Sequence, residues 1–255
     1  MKKVLVVVPF AFDEKGLANR RAQLASVKLG PDIEFSYRAV KAGPALYDSY
    51  HDWTLADVAI FEAGLTAQEE GYDAVCIDTM SDSGMNPLRS VLDIPVIGPG
   101  RASFLMAMLL GSKFSVLTQW DPWMNLYKKG LQEYGLVDKC ASIRSINTPP
   151  DVENLLGGKE EVVFPKLVEM GLRCVEDGAD VICLGSTTMH QAHAHLAANL
   201  PVPVINPGPL TYKLAEAVLS LGLTHSRKAY PKPNVFKGDL AHAMMDGAAS
   251  AASPK

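Results

Sequence analysis

Two stretches of the chain carry nearly the same text. Residues 71–79 read GYDAVCIDT and residues 178–186 read GADVICLGS, with Gly, Asp, Val or Ile, Cys and a hydroxyl residue in matching places. The offsets agree, since 183 − 76 and 186 − 79 are both 107. Each copy runs on to a matching end, IPVIGPG after the first and VPVINPG after the second, with Ile97 answering Ile205 after one residue of drift. The opening KVLVVVP corresponds in the same way to KFSVLTQ at Lys113. A chain of 255 residues written twice has room for two units, each the size of a small domain.

Within each copy, short Val/Ile-rich runs alternate with longer amphipathic stretches. Strands are expected at residues 3–8, 33–40, 74–78 and at Val96, and again at 114–118, 141–145, 181–184 and 204–205. Helices are expected near 16–28, 53–70, after Gly84, 101–110, 123–134, 162–177 and through Leu196. A polar loop with Pro149, Pro150 and GGKEE interrupts the second series, and the tail after Ala229 reads as extended and partly disordered at its end. Alternation of this kind argues for parallel sheets covered by helices on both faces. Ligands of such sheets bind beyond the carboxyl ends of the strands. Thr79 and Ser186 stand at those ends, one per half. The expected class is therefore α/β, with two pseudo-symmetric, doubly wound, Rossmann-like halves and the active-site cleft between them. The first half covers residues 1–99, joined by a C-terminal helix and tail from about residue 206 to 255, and the second covers 100–205.

Composition narrows the function classes. A net charge of −4 gives no electrostatic footprint for nucleic acid and no basic helix for a membrane surface. The longest apolar runs fall short of the roughly 20 residues of a membrane span, and the N-terminus lacks the pattern of a signal peptide. Cys76, Cys140, Cys174 and Cys183 sit in or beside apolar segments without C-x-x-C spacing, so neither a zinc site nor a disulfide framework is expected. A cytoplasmic protein acting on a small molecule is the expectation. No G-x-G-x-x-G follows a strand, so no dinucleotide is expected either.

The motifs together resemble the aspartate/glutamate racemase superfamily and, within it, the hydantoin racemase-like branch. The resemblance runs through GPALYDSYHD, GYDAVCIDTMSDSG, IPVIGPGRAS, FSVLT, DGADVICLGSTTM, VPVINP and LGLTHSRKAYPKP, and so covers nearly the whole chain. It implies a cofactor-independent enzyme in which two cysteines, one at the strand end of each half, work on opposite faces of a stereocentre. The family patterns resemble A-C-F-G-D-P-G and L-G-C-A-G-M. Here the two thiol positions hold Thr79 and Ser186. A free thiol ionises near pH 8.5, about within reach of neutrality. An aliphatic hydroxyl lies several units higher, and each unit costs about 1.36 kcal/mol to bridge. Bare hydroxyls therefore do not replace a cysteine pair as bases. Cys76 and Cys183 lie three residues before those positions, an offset that points a strand side chain to the opposite face.

Other groups are candidates for the chemistry. His190 follows Ser186 by one helical turn, and histidine is the commonest general acid–base. It begins a run with His193 and His195 that equally suits an exposed helix face, and H-x-x-H-x-H is no standard zinc arrangement. Asp78 replaces a small residue of the family pattern just before Thr79, and is either a buried base or a solvent-facing carboxylate. Asp82 matches the Asp of the family turn. Ser81, Thr187 and Thr188 are expected to join Thr79 and Ser186 in holding carbonyl oxygens, or else to cap helices and begin turns. Phe10 and Phe12 stand where relatives often carry an N-P-N-T-like turn, and Trp120, Asp121 and Trp123 follow the equivalent strand of the second half. These aromatics either line the pocket for an apolar part of the substrate or pack the sheet edge.

The expected function is a racemase or isomerase acting, without cofactor or thiol, at the carbon next to a carbonyl or carboxylate of a small hydantoin-like or carboxylic substrate. Two alternatives stand beside it: a decarboxylase, lyase or hydrolase on the same scaffold, and a small-molecule binding protein that lost its chemistry. Homo-oligomerisation is in keeping with the family and is not written in the residues.

Overall fold

The computed structural model describes residues 1–150 and 160–252. Part of the loop expected around Pro149 to Glu161 lies outside them. The chain divides into two compact units, Met1–Gly98 with Thr211–Lys255, and Pro99–Leu210.

The first unit holds a four-stranded parallel sheet in the order β2-β1-β3-β4, made of β1 (Lys2–Val8), β2 (Ile33–Ala39), β3 (Ala74–Ile77) and β4 (Val96–Ile97). The second repeats that order as β6-β5-β7-β8, from β5 (Phe114–Thr118), β6 (Cys140–Ser145), β7 (Val181–Leu184) and β8 (Val204–Ile205). The central strands β3 and β7 are buried along their whole length, as unbroken apolar runs in a doubly covered sheet must be.

Helices cover both faces. In the first unit Val4, Val6, Val8 and Cys76 pack against α1 (Glu14–Arg21) and its 3₁₀ continuation, together with Tyr212 and Ala215 of α8 (Pro207–Ser220). On the other side of β1 lies α2 (Tyr50–Gly64), followed by α3 (Met85–Val91). In the second unit Leu117, Ile182 and Leu184 pack against α6 (Glu160–Glu176) and α7 (His190–Asn199), while α4 (Pro99–Leu110) and α5 (Met124–Glu133) take the opposite face.

The duplicated GYD and GAD now have a reason. Gly71 and Gly178 adopt φ of 84° and 100°, the left-handed conformation that ends a helix and that glycine adopts without strain. Two residues later, Asp73 accepts from the Lys3 backbone N–H at 2.8 Å. Asp180 does the same for Ser112 and Lys113, at 2.9 and 3.0 Å. Each aspartate thus ties its strand to the start of the neighbouring one.

The C-terminal tail departs from expectation. Residues Gly238–Ala252 form a helix, α9, rather than an extended segment, and bury Ala241 and Met245. His242 and Lys41 both reach the buried carboxylate of Glu62 on α2, at 2.7 and 2.8 Å. Pro231 and Pro233 keep only the preceding stretch out of a helix. The Ala-rich sequence beyond them follows its own strong helix propensity. Among the described residues no helix is long and apolar enough to cross a membrane.

Candidate active site

Each central strand ends the same way. After β3 the chain continues Asp78, Thr79, and the Asp78 N–H closes the ladder on Val7 O at 3.0 Å. After β7 it continues Gly185, Ser186, and the Gly185 N–H closes on Leu117 O at 2.8 Å. Thr79 and Ser186 are therefore the second residue past the strand in each unit, at the carboxyl edge where such sheets bind ligands.

The hydroxyl patterns repeat too. Thr79 Oγ1 lies 3.2 Å from Ser81 Oγ and accepts the Ser81 N–H at 3.5 Å. Ser186 Oγ lies 2.7 Å from Thr188 Oγ1 and accepts the Thr188 N–H at 3.3 Å. In the first unit the chain of hydroxyls extends to Ser83, whose Oγ accepts from Ser81 at 2.9 Å. Both are turns in which a hydroxyl caps the N–H two residues on. Ser186 in this way caps the 3₁₀ turn Thr187–Met189 that leads into α7. Thr187 is buried, while Ser186 and Thr188 are half-buried. Asp82 sits at φ 52°, a left-handed position that aspartate tolerates better than most residues.

Around Ser186 the second unit supplies a buried support that the sequence reading missed. Tyr127 of α5 donates its hydroxyl hydrogen to the Gly185 carbonyl at 2.6 Å. A phenol has one hydrogen, so Thr118 donates in turn to Tyr127 Oη, at 2.8 Å. Burial pushes the Tyr127 phenol far up, which keeps it a neutral donor. The glycine is required here: a Cβ at Gly185 would lie 2.6 Å from Tyr127 Oη and 2.9 Å from Thr118 Cβ. His190 is the first residue of α7 and half-buried. His193 is occupied elsewhere, with Nε2 3.0 Å from Val204 O, and the His195 ring packs on Phe164.

In the first unit Phe10 and Phe12 follow β1 and face each other at 5.3 Å between ring centres. Tyr47, from the GPALYDSYHD segment, stacks on Phe10 at 5.2 Å and donates its hydroxyl to Pro9 O. Trp53 in turn donates to Tyr47 O at 3.2 Å. The three rings form one wall at the end of β1. Asp78 is buried with its carboxylate 3.5 Å from Arg20 Nη1; the Tyr37 and Tyr212 phenols are pushed up chiefly by burial and further by the charge of Asp78. Arg20 is the second residue the sequence reading passed over. In the second unit Trp120 follows β5 and meets Trp123 edge-on at 6.0 Å.

The thiols stand apart from all of this. Cys76 and Cys183 are fully buried, Cys76 toward α1 and α8, and Cys183 with its Sγ 3.7 Å from Ser103 O on α4. Burial pushes both thiols well up. Cys140 and Cys174 are pushed up to about 11 by the same cause. Among the described residues, no cluster of three or more His, Cys, Asp or Glu is arranged to hold a metal ion.

Residues 18–215 match the profile of the Asp/Glu/Hydantoin racemase family. A hydantoin racemase of Pseudomonas sp. (strain NS671) is 33% identical over 204 residues, covering 78% of this chain and 81% of its own. A hydantoin racemase of Rhizobium meliloti is 31% identical over 191 residues, covering 72% of this chain and 78% of its own. Among solved structures, the allantoin racemase from Klebsiella pneumoniae superposes with a TM-score of 0.81 at 25% identity, over 94% of this chain and 98% of the other.

Proposed function

The chain belongs to the Asp/Glu/hydantoin racemase family, and on that premise we propose that it racemises a small hydantoin-like or carboxylic substrate at the carbon next to a carbonyl, without a cofactor and without a thiol. That it is an isomerase of the racemase kind follows from the family. The substrate and the chemistry are our reading. One observation carries it: the paired hydroxyls Thr79–Ser81 and Ser186–Thr188 recur at the same place in two sheets of the same order. The four thiols support it from the other side, being buried or half-buried with raised pKa.

Removing a proton next to a carbonyl places negative charge on the carbonyl oxygen. Hydroxyls and backbone N–H groups fixed in advance stabilise that charge at no cost of reorganisation. Thr79, Ser81, Ser186, Thr187 and Thr188 supply such donors in this reading. The proton itself needs an acid–base side chain, and imidazole is the commonest one, so His190, one turn after Ser186, is the candidate. Asp78 is engaged by Arg20, which makes His190 the first group to test. Phe10, Phe12 and Trp120 offer apolar surface to the substituent on the reacting carbon. A reducing cytoplasm suits the four unpaired cysteines.

Proton NMR in deuterated water tests the reading. The protein is incubated with 5-substituted hydantoins, allantoin, amino acids and arylmalonates. Deuterium entering at the α-carbon, with no other change, is the expected result. New products would establish a lyase, decarboxylase or hydrolase instead. Ligand-dependent shifts in melting temperature with no turnover would establish a binding protein.

A further inference from the structure

Helix α1 is short and polar, and among its eight residues only Arg20 is buried. Taking a guanidinium out of water is costly unless a countercharge goes with it. Asp78 is that countercharge, with side-chain exposures of 7% for Arg20 and 2% for Asp78. The guanidinium also lies 5.7 Å from the centre of the Phe10 ring and 5.6 Å from that of Phe12, within cation–π range of both. Phe12 is seated against the same helix one turn earlier, where a Cβ on Gly16 would come within 2.7 Å of it. One side chain therefore touches the aromatic turn after β1 and the strand end before Thr79. β1 and β3 are paired neighbours, so these two segments leave the sheet side by side.

We propose that Arg20 is a positioning residue of the first unit: by pairing with Asp78 and lying against Phe10 and Phe12 it fixes the two segments that present Thr79 and the aromatic wall to substrate. This rests on the reading of those residues as the substrate site. It assigns Asp78 the task of holding Arg20, and so of fixing the backbone that carries Thr79. Arginine suits this role better than lysine because its flat guanidinium meets a ring face and a carboxylate together.

Hydrogen exchange followed by mass spectrometry on the full chain tests the proposal, with wild type beside Arg20→Lys. Lysine keeps the charge next to Asp78 and loses the flat contact with the rings. The amides of Phe12 and Asp82, bonded to Phe10 O at 2.8 Å and Thr79 O at 3.1 Å, are expected to exchange on the order of tenfold faster in the variant. Those of residues 4–8 are expected to stay as protected as before. Equal protection of Phe12 and Asp82 in the two proteins overturns the proposal.

A second variant, Arg20→Met with Asp78→Leu, removes both charges together and so avoids stranding one of them in the interior. It is expected to keep a cooperative melt while kcat for α-proton exchange falls roughly 10- to 100-fold, with KM moving less. A double variant that melts cooperatively and turns over like wild type overturns the proposal. If the wild type exchanges no α-proton on any substrate, the racemisation reading fails instead, and the hydrogen-exchange comparison alone decides the role of Arg20.

Discussion

Tyr127→Phe removes a single oxygen and leaves the ring, so it opens no cavity worth the name. That oxygen is fully buried, and it joins the Gly185 carbonyl at 2.6 Å to the Thr118 hydroxyl at 2.8 Å. Without it the carbonyl loses its donor and Thr118 its acceptor. A buried polar group left unsatisfied costs about 1–3 kcal/mol. For a chain of this length each kcal/mol moves the melting temperature by about 2–4 °C, so a drop of roughly 2–12 °C is expected in the transition that reports on the second unit. A second effect reaches the site. The peptide bond is planar, so the Tyr127 bond that aims the Gly185 carbonyl also aims the Ser186 N–H in the opposite direction. Release of that carbonyl is expected to lower kcat by about tenfold while KM changes little, the pattern of an interaction realised in the transition state. Circular dichroism melts and α-proton exchange on one protein preparation measure both. A lower melting temperature with unchanged kcat would refute the link from Tyr127 to Ser186, and no change in either would refute the whole line of reasoning.

Other expectations follow from the same geometry. Gly185→Ala forces a methyl to 2.6 Å from Tyr127 Oη and should destabilise more than Tyr127→Phe does; combining the two should recover part of the loss in a thermal melt. His190→Asn should slow α-proton exchange by roughly 100-fold, within the range of general acid–base catalysis; a full-rate variant would remove His190 from the mechanism. Asp177 is held down to about 2 by the Arg144 guanidinium, whose Nε and Nη2 meet it at 2.6 and 2.7 Å. Its pKa is lower folded than unfolded, so the pair stabilises above about pH 4 and stops doing so as the pH falls toward 2. Arg144→Met should therefore move acid unfolding to higher pH.

The sequence made the fold readable where one dimension carries the signal. Buried parallel strands read as unbroken apolar runs, and the 107-residue offset between Thr79 and Ser186 became the same step past β3 and β7. Even the partners Ser81 and Thr188 fall at one offset, since a hydroxyl capping the N–H two residues on is a local interaction. Arg20 and Tyr127 were not readable for the opposite reason. Arg20 lies on a helix with no apolar periodicity, and its burial is imposed by Asp78, Phe10 and Phe12 from two other segments. Tyr127 meets Gly185 across 58 residues, and in the sequence it is one more aromatic on an amphipathic helix. Helix α9 was not readable as a helix because Pro231 and Pro233 colour the whole tail as extended, although both lie before its start at Gly238.

Thiol alkylation tests the central claim most directly. The native protein is treated with iodoacetamide, adducts are counted by mass, and deuterium wash-in at the α-carbon is then followed for each enantiomer of an accepted hydantoin. Buried thiols with raised pKa react slowly, and in this account none of them touches substrate. Both enantiomers should exchange at the untreated rate, including in protein that carries an adduct at half-buried Cys140. Loss of exchange in step with alkylation would contradict the account and put a cysteine back in the mechanism.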